Sequence, residues 1–395
     1  MKRLRWLLLL FSIFFFTGCY NYRELTQIAL TSAIGIDKTE DGEAYRITIQ
    51  VLNTQKQGSD SSSSGDQPKF IIYKTEAPTI QEALRTVIFN LPRRLYLNHM
   101  SLLLISEQVA KDGIEDLLDF FARNTEIRKQ FLVVISRDAD PSDVMQVLTP
   151  LEALNAQNIH DSIIADTKYY GMSTKTSFED MLKNYLNDRT NIVLPSVEYV
   201  GNTKKGEDSE NIKESIPDAT VEIRPLAIFN GQKLVGYLSD EESRAYNYIE
   251  GNIRNSIVTC NCDKEGIFTA EIVSTSTKLE SDINKKKISI SIKAKSNIKE
   301  INCDMNLLEP STIDQIEGIL NHHLEEMIAN VITNTLETYH TDIFGFEELL
   351  YKTSPNAYQK LKKQYGDALL DDFQFDISVD VKVQTKGNII KEITR

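Results

Sequence analysis

The chain has 395 residues, with 57 acidic against 44 basic side chains and a formal net charge of −13 at pH 7. That acidity argues against a nucleic-acid partner and against an electrostatic hold on anionic lipid. The length exceeds what one core commonly supports, so two or three domains are expected.

In chain order, the first feature is a targeting segment. Lys2, Arg3 and Arg5 precede an apolar run from Trp6 to Phe16 that only Ser12 interrupts, and Thr17-Gly18-Cys19 closes it. The run falls short of the ~20 residues that span a bilayer, so it reads as the core of a secretory signal oriented by its positive flank. Small residues directly before a cysteine make it a lipoprotein signal. The Cys19 thiolate is the nucleophile that accepts a diacylglyceryl group, and the small Thr17 and Gly18 leave the Gly18–Cys19 bond open to a peptidase. Phe16 stands where such signals commonly carry leucine. The expectation is a signal peptide at 1–18, lipidation at Cys19 and a mature chain of 377 residues. Loss of three basic residues with the signal takes the net charge from −13 to −16. No later apolar stretch is long enough to span a membrane, so a body tethered at one end is expected. A plain secretory signal cut elsewhere, with Cys19 incidental, is the competing reading.

After the anchor, alternation predicts strands over 30–37 and 45–52 around a turn at Glu40-Asp41-Gly42-Glu43, and a strand over 70–73. Residues 55–68, with four consecutive serines, read as a low-complexity loop. Thr79-Ile80-Gln81-Glu82 has the spacing of a capping box and opens a helix with Ile80, Ala83, Leu84, Val87, Ile88 and Leu91 on one face. Strands over 100–106 and 131–136 flank a helix marked by Ile114, Leu117, Leu118 and Phe121. Asp140-Pro141 opens another helix. The pattern over 151–187 is helical with a break at 169–176, and a strand follows over 192–200. Residues 201–215 are polar and charge-rich and are the best candidate for an interdomain linker.

The second half begins with a hairpin, 219–229 and 233–237 around Asn230-Gly231-Gln232. A short helix over 240–248 and strands over 257–260, 267–273, 288–294 and 298–305 follow. The longest helix opens at Thr312-Ile313-Asp314-Gln315, just after Pro310. Its stripe is Ile316, Ile319, Leu320, Leu324, Met327, Ile328, Val331 and Ile332. A helix within 351–365 and a last alternating strand from Phe373 to Val383 complete the chain. No internal repeat is present.

Beyond Cys19 the cysteines are Cys260, Cys262 and Cys303. An odd number is no disulfide framework, and Cys260-x-Cys262 lacks zinc-ligand spacing. Buried free thiols without metal or catalysis are expected, with Cys260 and Cys262 on one strand face. Gly201 and Gly206 have the spacing of a phosphate loop, but Glu207 and Asp208 stand where a lysine and a hydroxyl belong. His322-His323 beside Glu325 and Glu326 is no zincin pattern, His99 and His160 stand alone, and Asp371-Asp372 has no specificity in so acidic a chain. No residue set makes a catalytic, cofactor-binding or metal site.

Four ordered blocks resemble one family. The first is Gly18-Cys19-Tyr20, Arg23-Glu24-Leu25 and Ala33-Ile34-Gly35-Ile36-Asp37. The second is Leu102 to Ile105 with Ala110, Gly113, Phe120-Phe121-Ala122-Arg123-Asn124 and Arg128. The third is Ala227-Ile228-Phe229 with Lys233 to Leu238, Glu241 and Glu242. The fourth is Asp342-Ile343-Phe344-Gly345-Phe346. Together they resemble the C-subunit lipoproteins of bacterial spore germinant receptors, the GerAC-like family, over nearly the whole mature chain. Asn98-His99 departs from an expected Gly-His, and Tyr20 and Tyr237 stand where tryptophan is common.

The resemblance implies a multidomain α+β or mixed α/β body, built in known members as three domains of a topology particular to the family. It implies a non-enzymatic, lipid-anchored subunit on the outer face of the spore inner membrane. There it joins an A subunit and a multispanning B subunit in a complex that senses nutrient germinants, with no cofactor. Its expected organisation is an N-terminal domain at 19–200, a linker at 201–215 and a C-terminal domain at 216–395. The rival readings are a solute-binding lipoprotein of a transporter, which needs a ligand cleft between two lobes, and a surface hydrolase, which needs the catalytic motifs that are missing.

Overall fold

A computed structural model describes residues 24–53 and 69–385, apart from Ala153, Ser209, Glu214, Asp263, Lys264 and Asp304. Cys19 and the serine-rich loop lie outside the described residues.

The first half builds a mixed sheet. Its strands are β1 (Ile28–Lys38), β2 (Tyr45–Leu52), β3 (Phe70–Ala77), β4 (Arg94–Tyr96), β5 (Leu102–Ser106), β6 (Leu132–Arg137), β7 (Val193–Gly201), β8 (Ala219–Asn230) and β9 (Lys233–Tyr237). They run in the order β3-β2-β1-β5-β6-β7-β8-β9, with β4 beside the first residues of β1. The middle strands β1, β5, β6 and β7 are parallel and the flanking ones antiparallel. Parallel strands need covered faces, and β5 reads Leu-Leu-Leu-Ile-Ser, buried throughout.

On one face lie α1 (Ile80–Thr86), α2 (Glu107–Asp112), α3 (Glu115–Arg123) and, further on, α6 (Phe178–Leu186). Phe121, Phe131 and Phe178 meet there with ring centroids 5.3–5.6 Å apart. The opposite face takes α4 (Pro141–Gln146) and α5 (Asn155–Tyr169). Gly35 of the first sequence block is where α4 meets β1: a Cβ there would stand 2.9 Å from Pro141 Cβ and Met145 Sδ. Those two atoms account for the glycine in Ala33-Ile34-Gly35-Ile36-Asp37.

The polar stretch 201–215 does not act as the expected linker. It holds two one-turn helices, α7 (Thr203–Gly206) and α8 (Glu210–Lys213), and connects antiparallel neighbours β7 and β8 of the same sheet. Asn211 ties it down. Its side chain donates to Leu148 O and Ala219 O and accepts from Ala219 N, all within 3.0 Å. A single buried amide replaces the apolar residues that a sequence pattern detects.

The second sheet has the order β10 (Ser256–Asn261), β11 (Ile267–Asp282), β12 (Lys287–Asn302) and β13 (Gln374–Thr385). The strands expected at 288–294 and 298–305 are one strand with a register shift, and β11 runs nine residues past its expected end. Beyond Val273 its exposed side chains are Ser274, Ser276, Lys278 and Glu280, and they alternate with half-buried Thr275 and Thr277, which lack the usual apolar signal. The helices α9 (Asp240–Ile249), α10 (Pro310–Thr333), α11 (Phe346–Thr353) and α12 (Pro355–Tyr365) pack with this sheet in one core. The stripe on α10 is buried as expected, apart from half-buried Ile319. The expected box at Thr312 does not form: the helix starts at Pro310 with Glu309 before it, and Thr312 is buried in the first turn. At α1 only the Thr79 half of the box is made, accepting from Glu82 N.

Cys262 and Cys303 form a disulfide, which corrects the expectation of free thiols there. Cys262 follows β10 and Cys303 follows β12, 6.6 Å apart at Cα, across the start of β11. Forty-one residues of sequence separate them, so spacing carried no sign of the pairing. Cys260 remains a buried free thiol, pushed up to about 11 by that burial.

Candidate functional site

The isolated titratable residues of the sequence do not converge. His322 meets Glu326 on an exposed face of α10, while half-buried His323 is held below the usual imidazole range by desolvation. His160 pairs with Asp161, His99 tilts against Tyr96, and Asp372 pairs with Lys286. Among the described residues no group of three or more His, Cys, Asp or Glu side chains is placed to hold a metal ion.

What does converge is the third and fourth sequence blocks, about a hundred residues apart. Thr341 Oγ1 donates to Phe229 O at 2.8 Å, Asn230 Nδ2 to His340 O at 3.1 Å, and Tyr339 OH to Tyr237 O at 3.3 Å. Gly236 lies against the Tyr339 ring so closely that any Cβ would overlap it. Asn191 adds two bonds, its N–H to Asp342 O and its Oδ1 from Gly231 N. Arg189 donates to Glu348 Oε2 at 2.6 Å and stacks 4.2 Å over the Tyr351 ring. Beside these contacts lies a cavity of about 620 Å³, with Asn187, Arg189, Asn191, Asp342, Glu347 and Lys362 on its wall.

Asp342 closes the start of α11. Its carboxylate accepts from Phe344 N at 3.1 Å and from Glu347 N at 2.8 Å, which satisfies helix-end donors that would otherwise stay unpaired. Gly345, left-handed at φ 69°, makes the turn between them. Glu347 in turn accepts from Tyr358 OH and Lys362 Nζ. In sequence the block Asp342 to Phe346 shows only a family likeness, because its partner Asn191 lies far upstream.

Burial pushes the Asp342 carboxyl up to about 6, against the pull of the N–H groups of Glu347, Phe346 and Phe344. A carboxyl whose folded pKa exceeds its unfolded value binds its proton more tightly in the folded chain. Its contribution to stability is therefore largest at low pH and declines as pH rises through 6. Between pH 4.5 and 7.5 this group is expected to remove about 2 kcal/mol. Denaturant midpoints measured across that window should fall for the native chain relative to Asp342→Asn, whose amide does not titrate. Parallel curves would show that another group titrates.

The second half of the chain thus docks on the β8–β9 hairpin and on residues 189–191 of the first half through hydroxyl, amide and backbone bonds and the Arg189–Glu348 ion pair. A family model for the spore germination protein N-terminal domain matches residues 21–199, and one for the GerAC-like C-terminal region matches residues 225–387. The chain belongs to the GerAC-like family of germinant receptor C subunits, whose members take part in spore germination. It is 27% identical to spore germination protein KC of Bacillus subtilis, over 96% of this chain and 95% of that one. It is 24% identical to spore germination protein B3 of the same organism, over 94% and 96%. The crystal structure of the GerBC protein shares its fold with a TM-score of 0.55 and 18% identity, covering 89% of this chain and 96% of that one. The mixed α+β, multi-element body expected from sequence is the fold observed. Among the described residues no helix is long and apolar enough to cross a membrane.

Proposed function

We propose that this chain is the lipid-anchored, non-enzymatic C subunit of a nutrient germinant receptor. A diacylglyceryl group on Cys19 holds it to the outer face of the spore inner membrane, where it joins the A and B subunits. The observation that carries the reading is the agreement with both halves of the family, in order, across the chain. Two features support it independently. The Thr17-Gly18-Cys19 signal sends the body out of the cytoplasm. The Cys262–Cys303 disulfide fits a chain that folds in an oxidising compartment.

On this reading the N-terminal sheet, which the tether enters through β1, meets the membrane subunits. Inserting twenty Gly/Ser residues after Arg23 lengthens the tether from about five residues to about 25. It should lower the effective concentration at those subunits about tenfold, as the −3/2 power of length. Co-purification of the A and B subunits from spore membranes, with crosslinks mapped on this chain, checks both points. Crosslinks confined to β10–β13 and their helices, or assembly indifferent to the insertion, would overturn the placement.

A further inference from the structure

The net acidity of the chain is an average, and one stretch departs from it. Residues 83–106 contain Arg85, Arg93 and Arg94 and no Asp or Glu, in a chain with 57 acidic side chains. Inside that stretch Ile88 is 58% and Phe89 82% exposed, in the one-turn 3-10 helix that follows α1. Ile88 and the three arginines share one shallow cavity, whose single acidic side chain, Glu126, pairs with Arg94.

The topology puts this patch at the edge of the sheet where the chain enters. Arg94 of β4 lies beside Ile28, the first residue of β1. Strand β3 runs parallel to β1, through antiparallel β2, and α1 returns from its far end. The end of α1 and residues 87–89 therefore come back to the entering edge. Ile71, 41% exposed, lies there too, opposite Val51 and one strand further from Thr31. Only four residues lie between Cys19 and Glu24, where the described chain begins, and the five steps reach at most about 18 Å.

We propose that Phe89 and Ile88, with Arg85, Arg93 and Arg94 around them, are a second membrane contact that rests on the phospholipid surface beside the anchor. An aromatic and a branched aliphatic side chain, both exposed and in a stretch whose only charged side chains are arginines, have the composition of a surface that lies in the headgroup region of an anionic bilayer. The contact sets the orientation of the body, which a tether alone leaves free. The inference rests on the anchoring reading above, since the short tether is what brings this edge to lipid.

The test uses the mature lipidated chain in vesicles of phosphatidylcholine and phosphatidylglycerol with brominated acyl chains. The single native tryptophan, Trp6, leaves with the signal, so Phe89→Trp supplies the only indole. Ile216→Trp is the control. That residue is 82% exposed at the opposite edge of the sheet, near the pairing of Gly201 with Ala219. The indole at position 89 is expected to shift its emission to the blue and lose most of its intensity to bromine, and the one at position 216 to do neither. Arg85→Glu combined with Arg93→Glu should weaken the quenching at position 89. A chain that sediments with vesicles while position 89 stays unquenched overturns the contact and leaves the anchor standing. A chain that stays in the supernatant overturns both.

Discussion

Cys19→Ala is expected to abolish acylation and to free the processed body from membranes. Two acyl chains of about 14 buried methylenes each, at ~0.8 kcal/mol per methylene, hold the native chain with roughly 20 kcal/mol. Labelled palmitate should enter the native chain and not the variant. The variant should either appear in the soluble fraction or retain its signal, because alanine offers no thiolate for the transfer that precedes cleavage. A mature native chain in which mass spectrometry finds Cys19 unmodified and internal would end the anchoring reading.

Asn247→Ala is expected to loosen the joint between the two sheets. Asn247 on α9 is fully buried, and its Nδ2 donates to Gly171 O at 2.8 Å and Ser173 O at 2.9 Å in the first half, and to Ser243 O at 3.2 Å. Its Oδ1 accepts from Asn252 Nδ2 at 3.0 Å. Alanine would leave two buried carbonyls of the other half without a donor. Each unsatisfied group costs about 1–3 kcal/mol, so a total of about 3 kcal/mol is expected. Differential scanning calorimetry should show the single transition lowered, or split as the halves separate. Thr277→Ala serves as the comparison, because its hydroxyl reaches Tyr248 O within the second half and does not bridge to the first. A loss below 1 kcal/mol would place the strength of the joint elsewhere.

The contrast between what could and could not be read in the sequence follows the kind of residue involved. Where burial falls on apolar side chains at a fixed period, the elements were legible. Ile47, Ile49 and Val51 of β2, the α10 stripe and the Val379 and Val381 face of β13 all lie where periodicity puts them. Where a buried amide or a covalent link replaces that pattern, they were not. Asn191, Asn211 and Asn247 fasten segments that look like loops, and polar residues at a joint have no period to detect. The disulfide was illegible because three remaining cysteines allow three pairings and spacing favours none. Short β4 was missed because three residues cannot show alternation. Of the site, the Asp342 block was visible as a likeness only, since its partner Asn191 comes from the other half.

The place of β1 in its sheet has a mechanical consequence. The strand nearest the amino end is an interior strand, paired to β2 on one side and to β4 and β5 on the other. Tension arriving from the amino end therefore acts along a strand gripped on both flanks, and its two ladders share the strain in shear. At an edge the same tension would open hydrogen bonds one after another. A displacement of the tether is in this way handed to the middle of the sheet, so the body follows as a unit instead of unravelling from its first residues.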